Sequence, residues 1–134
     1  MKELIRIFKA LSDETRLRIL NLIIERECCV CEVMQALGIS QTRASRNLSQ
    51  LYEAGLLEQR REGLWTIYYL SPMINNDFRR LIISAAEASL SGTTLAVEDR
   101  RRLRESSRLC PQGSKAVVTS AVSRPESQVI DSRN

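Results

Sequence analysis

Histidine is missing from this chain altogether. Without an imidazole the commonest acid–base catalyst at neutral pH is absent, and so is the commonest metal ligand. Glycine is scarce, at five residues in 134, and none of the five belongs to a glycine-rich phosphate loop. No paired carboxylates suggest a catalytic cleft, so an enzyme is not expected. No apolar run approaches the roughly 20 residues of a membrane span. The opening "MKELIRIFKALSDE" meets Glu3, Arg6 and Lys9 before any apolar run develops, unlike a secretory signal. The chain therefore reads as cytoplasmic, with no membrane partner, where clustered cysteines bind metal or sense redox state more often than they cross-link.

Basic charge is thinner than its total suggests. Of the formal net charge of +4, residues 1–90 carry +1 and residues 91–134 carry +3. A nucleic-acid partner must be argued from local pattern and not from charge.

With 43% hydrophobic and 27% charged residues, the composition is that of one globular domain with a tail. Leu4, Ile7, Phe8 and Leu11 share one helical face. Ser12 is placed to cap a second helix over about 14–25, with Asp13 and Glu14 in its first turn and Leu17, Leu20, Ile23 and Ile24 inward. A third, over about 30–37, turns Val33, Ala36 and Leu37 inward and ends at Gly38. Ser40 caps "QTRASRNLSQLYEAG", with Ala44, Leu48 and Leu51 inward and Gly55 as its stop. The period then changes to two in "LLEQRREGLWTIYYL", where Glu62-Gly63 marks a hairpin turn and Ser71-Pro72 ends the second strand. Helical period returns in "DFRRLIISAAEASL", with Phe78, Leu81, Ile82, Ala85, Ala86 and Leu90 on one face. These elements make residues 1–91 one DNA-binding and dimerisation domain. Residues 92–105 form a short charged helix or linker, and residues 106–134, without periodicity, form a disordered tail.

Helix, the turn "GIS", helix and hairpin is the order of a winged helix-turn-helix: an α+β fold, mainly α. The second helix of the pair presents Ser40, Gln41, Thr42, Arg43, Ser45, Arg46, Asn47, Ser49 and Gln50, without an acid among them. Such side chains bond base edges and phosphates of double-stranded DNA. Arg43 opposes the helix dipole in the first turn, a local conflict that an anionic partner would relieve. Arg60 and Arg61, beside the hairpin turn, are placed to grip backbone phosphate.

The run "ALSDETRLRIL…ECCVCEV…ALGISQTRASRNLSQLYEAGLLEQRREGLWTIYYLSP" resembles the ArsR/SmtB family of metal-responsive bacterial repressors, over about residues 4–75. The resemblance implies a winged-helix homodimer that holds operator DNA until an inducer releases it, with no permanently bound cofactor. Where the family's recognition helix carries His after its Ser-Arg pair, this chain has Asn47. The arsenic- and cadmium-type members carry a Glu-x-Cys-Val-Cys-Asp motif at the third helix. "ECCVCE" places Cys29 and Cys31 at its two cysteine positions. The further Cys of the arsenic type is replaced here by Met34, and Cys28 is extra.

Three thiolates suit a soft trivalent centre, so As(III) or Sb(III) held by Cys29, Cys31 and Cys28, with Cys110 the reserve for the third place, is the expected inducer. Cd(II) or Pb(II) would prefer a fourth thiolate, which only Cys110 supplies, and a thiol-redox switch is the other alternative. With the motif read as the start of a helix, Cys28 and Cys31 share a face, whereas Cys29 and Cys31 lie roughly 200° apart. Ligation by all three should then bend that helix against the recognition helix. The amphipathic helices at the two ends of the domain, with Ala85 and Ala86 permitting close approach, predict a homodimer reading an imperfect palindrome.

Overall fold

The computed structural model describes residues 1–70 and 77–108. Among the described residues there are six helices and a small antiparallel sheet: α1 (Lys2–Leu11), α2 (Glu14–Glu25), β1 (Cys28–Cys29), α3 (Val30–Leu37), α4 (Gln41–Glu53), β2 (Glu58–Glu62), β3 (Trp65–Tyr69), α5 (Asp77–Leu90) and α6 (Thr94–Glu105). The architecture is the expected winged helix-turn-helix. The strand end assigned to Ser71-Pro72, the thiol of Cys110 and most of the expected tail lie outside the described residues.

The centre of the molecule is α2. Its buried residues Ile19, Leu20, Asn21, Leu22 and Ile23 run consecutively, so it is enclosed on every side, while the expected inward residues Leu17 and Ile24 are only half-buried. Its cap is Asp13, whose carboxylate accepts the Arg16 N–H at 3.0 Å. Ser12 instead closes α1. Asp caps as well as Ser does and adds a negative charge at the positive end of the helix dipole.

The recognition pair follows the expected bounds closely. Gly38 adopts φ 66° after α3, the left-handed conformation that lets the chain turn sharply into α4. Ser40 then caps α4, its hydroxyl accepting the Arg43 N–H at 3.2 Å. Gly55 ends the α4 turn at φ 84°, a left-handed conformation that favours glycine, and the nearest group a Cβ would meet is the movable Arg79 guanidinium, at 2.9 Å.

The sheet differs from a simple hairpin. Its order is β1-β3-β2, so the strand Trp65–Tyr69 is central. On one side Glu58 to Glu62 pair with Tyr69 to Trp65, and on the other Cys28 faces Tyr68 and Cys29 faces Ile67. Cys28 and Cys29 thus form a sheet edge, and only Cys31 of the motif lies in the first turn of α3. A two-residue strand is too short to leave a period in the sequence.

The segment expected as a separate charged helix or linker packs directly on α2 and α3. Ala96, Asp99 and Leu103 form its buried stripe. Asp99 is fully buried between Arg18, at 2.8 Å, and Arg102, at 2.7 Å. Arg102 also donates to the Ala36 carbonyl at 2.7 Å, which ties α6 to the end of α3. At the outer ends of the molecule, α1 buries Ile7 and Ala10, and α5 buries Ile83. Phe8 and Leu81, on the apolar faces read for these two helices, remain 54% and 64% exposed, because α2 covers only one side of each helix.

Candidate functional site: a cysteine pair and a DNA-reading helix

Strand geometry decides what the cysteines do. Successive strand residues point to opposite sides. Cys28 therefore joins the hydrophobic core, its Sγ donating to the Arg26 carbonyl at 3.3 Å. Cys29 points the other way and is the N-cap of α3 in an extended conformation, φ −95° and ψ 171°. That conformation removes the angular separation expected inside a helix, and the Sγ atoms of Cys29 and Cys31 lie 3.0 Å apart. This is a hydrogen-bonding contact, well beyond a disulfide's roughly 2.05 Å.

The expected triad is thus a pair: Cys29 and Cys31 meet, and Cys28 is turned away. Among the described residues, no group of three or more Cys, Asp or Glu side chains is placed to hold a metal ion. Two soft thiols at contact distance do match the donor chemistry of a trivalent arsenic or antimony centre, with a third donor still to be found.

Both inner thiols are hard to ionise. Burial, assisted by the Glu32 carboxylate, pushes Cys28 up to about 12. The hydrogen bond shared with Cys31 raises Cys29, with burial and Glu32 adding to it. Glu32 also accepts the Cys29 backbone N–H at 2.9 Å, capping α3, and is paired with Arg26 at 3.1 Å.

The second half of the site is α4. Gln41, Thr42 and Arg46 are exposed and, with half-buried Ser45, line a shallow open depression on its outer face. Arg43 is exposed but donates to the Thr15 hydroxyl at 2.9 Å. Asn47, expected among the base-reading side chains, faces inward. Its amide oxygen accepts from Arg16 at 3.1 Å and its nitrogen donates to the Arg43 carbonyl at 2.8 Å. Gln50 is exposed and is held by the same Arg16. Arg16 fixes α4 to α2, a role the sequence conceals because its partners lie over thirty residues away.

The wing arginines separate by strand alternation. Arg60 forms a two-pronged ion pair with Glu27 at 2.9 and 2.7 Å, a further one with Glu62 at 3.1 Å, and lies over the Tyr69 ring. The Arg60 hydrogen bond lowers the Glu27 carboxyl below its ordinary value. Arg61, on the other face of β2, is exposed and makes no ion pair among the described residues. Gln35, which donates to the Cys31 carbonyl at 2.9 Å, borders the cysteine pair and is not singled out by the sequence.

Comparison with known proteins agrees with this geometry. The family described as "Bacterial regulatory protein, arsR family" matches residues 13–59. The Pseudomonas putida "Arsenic resistance transcriptional regulator ArsR1" is 51% identical over 69 residues, covering 51% of this chain and 54% of that protein. The Escherichia coli "Arsenical resistance operon repressor" is 51% identical over 71 residues, covering 52% of this chain and 61% of its own length. The match thus spans less than two thirds of either relative. Among solved structures, a possible transcriptional regulatory protein from Mycobacterium bovis is 31% identical, with a TM-score of 0.56, covering 66% of this chain and 90% of that fragment. The solution structure of the same fragment is described as a homodimeric winged helix-turn-helix DNA-binding domain. The chain belongs to the arsR family of bacterial regulatory proteins.

Proposed function

We infer that this chain is a metalloid-responsive transcriptional repressor, which binds operator DNA as a homodimer and leaves it when As(III) or Sb(III) binds Cys29 and Cys31. The observation that carries this reading is the meeting of the two sulfurs at 3.0 Å where β1, paired into the wing sheet, runs into α3. The names of the relatives support an arsenic-type inducer.

In this reading α4 enters the major groove. Gln41, Thr42, Ser45 and Arg46 meet base edges, Ser40 and Arg43 lie nearest the backbone, and Arg61 takes phosphate. Asn47, Gln50 and Arg60 act as positioning residues. The exposed apolar side chains Ile5, Phe8 and Leu81 on α1 and α5 supply the dimer surface. Inducer binding reaches the DNA face through the sheet, because Cys29, Ile67 and Arg60 stand in one register across β1, β3 and β2. Glu27, two residues before Cys29, holds the same Arg60.

Operator release measured against arsenite tests this. Wild-type reduced protein should lose about 5- to 150-fold in operator affinity on arsenite addition. Cys29→Ser and Cys31→Ser should bind the operator normally and remain on it. Release by both variants would place the sensor elsewhere. The contact between the two sulfurs equally suits a reversible disulfide, so a wild-type protein that ignores arsenite but releases DNA on peroxide treatment would establish thiol-redox sensing instead.

A further inference from the structure

The described arginines divide by the kind of partner they keep. Arg18, Arg26, Arg60 and Arg104 are each fixed by a carboxylate, from Asp99, Glu32, Glu27 and Glu25. Arg16 is fixed by as many bonds, yet every acceptor of its guanidinium among the described residues is neutral. Its Nε donates to the Ala10 carbonyl, and one terminal nitrogen donates to the Lys9 carbonyl at 3.3 Å. The other terminal nitrogen donates to the Asn47 amide oxygen at 3.1 Å and to the Gln50 amide oxygen. One side of a flat group therefore holds the last turn of α1, and the other holds α4.

Each end of this bridge has a physical reason. The final carbonyls of a helix lack intrahelical donors, and a cation there also meets the negative end of the dipole. On α4, Asn47 and Gln50 are three residues apart and so share a face. The Asn47 amide cannot swing to follow Arg16, because it is buried and its nitrogen donates to the Arg43 carbonyl at 2.8 Å. A continuous chain of bonds thus runs from the end of α1, through Arg16 and Asn47, to the backbone of Arg43 in the first turn of α4. Apolar packing on α2 is non-directional, and by itself it leaves α4 free to slide and rotate against α1. A guanidinium fixes direction as well as distance, since its donors are held in one plane, which a lysine ammonium does not do.

We propose that Arg16 is a positioning residue that sets the spacing between the two operator half-sites the dimer accepts. The inference rests on the dimeric DNA-binding reading above, in which Ile5 and Phe8 place α1 in the dimer surface. Arg16 then ties the recognition helix to the dimer helix. Slack in that tie appears twice in a two-fold dimer, whose recognition helices must meet grooves about 34 Å apart. One extra base pair moves a half-site by about 3.4 Å along the duplex and about a tenth of a turn around it. A dimer with α4 fastened rejects the displaced half-site, and a dimer with α4 loose follows it.

Fluorescence anisotropy on the reduced full chain tests this with three DNAs. They are an operator selected by the chain from a pool of random duplexes, the same operator with one base pair inserted at its centre, and a single half-site. Wild type should prefer the uninterrupted operator by about 100-fold or more, because only there do both half-sites engage at once. Arg16→Lys keeps the charge and loses the flat fork, so that preference should fall at least about tenfold. Its half-site affinity should stay within about threefold of wild type, since no DNA contact is removed. Gln50→Ala, at an exposed position, removes one of the two α4 bonds and should lower the preference about threefold. It carries the test alone if Arg16→Lys does not fold. An undiminished spacing preference in folded Arg16→Lys, or in Gln50→Ala, would overturn the proposal. So would equal losses of Arg16→Lys on all three DNAs, which would make Arg16 a phosphate contact. A wild-type chain that sediments as a monomer, or that binds both spacings alike, would instead overturn the dimeric reading on which the inference rests.

Discussion

The start of α3 and the start of α4 lie one short helix apart and are built on opposite terms. At α3, the Cys29 N–H is taken by Glu32, which is itself almost fully buried and paired with Arg26. At α4, only Ser40 answers the exposed backbone, no acid occupies the first turn, and Gln41, Thr42 and Arg43 stand in solvent. A helix N-terminus attracts negative charge. The first helix satisfies that demand with its own carboxylate, which leaves its sulfurs in a closed, uncharged setting. The second leaves the demand open, as a phosphate-facing helix should. In the proposed function, what separates sensor from reader is thus which helix start carries its own anion.

The largest way to break the closed side is through α6, which holds the far end of α3. Asp99→Ala would leave Arg18 and Arg102 without their shared carboxylate. Stability should fall by about 3–5 kcal/mol, read as a lowered urea midpoint. A loss below about 1 kcal/mol would mean that α6 is not part of the structural unit.

The open side should break in function with little cost in stability. Arg46→Ala should weaken operator binding by about 1–3 kcal/mol and relax sequence preference if it meets a base. Its unfolding free energy should stay within about 0.5 kcal/mol of wild type, as for an exposed side chain. Arg61→Ala should weaken all DNA sequences alike and lower the salt slope by about one. Equal salt slopes for Arg60→Ala and Arg61→Ala would contradict the division of the wing by strand alternation. Ser40→Ala should cost about 1 kcal/mol of stability, because no second group caps α4.

These expectations show which parts of the molecule the sequence discloses. Repeating apolar side chains placed α3, α4 and the β2–β3 hairpin within a residue or two, because their periods run over several turns or pleats. The strand Cys28–Cys29 has no room for a period, and misreading it as helix reversed the relation between the cysteines. Asn47 carries the chemistry of a base-reading residue, but it lies on the buried stripe with Ala44, Leu48 and Leu51, where Arg16 and the Arg43 carbonyl satisfy its amide. In α6 the buried stripe contains an acid, Asp99, whose neutralising partner Arg18 is far away in sequence, so a core helix resembles a surface one. Polar residues whose roles are set by long-range pairing are where local reading fails.

The smallest expected effect is an absence of pH dependence, and it sharpens the contrast most. Raised thiol values mean that Cys28 and Cys29 stay protonated in neutral solution. Because the folded Cys28 value lies above its ordinary 9.0, its contribution to stability is fully present below that pH and is lost as pH rises toward about 12. Inducer binding depends on what removes the proton. Cd(II) must release one proton per thiol, so its apparent affinity should rise about tenfold per thiol per pH unit in neutral solution. Arsenite carries its own hydroxides, which leave with the thiol protons as water, so its affinity should stay flat between roughly pH 6 and 8. Calorimetric titration of both across that range measures the two slopes. An arsenite affinity that falls as pH rises, with Cd(II) flat, would mean that the site holds thiolates and not thiols, and that the start of α3 is no more closed to charge than the start of α4.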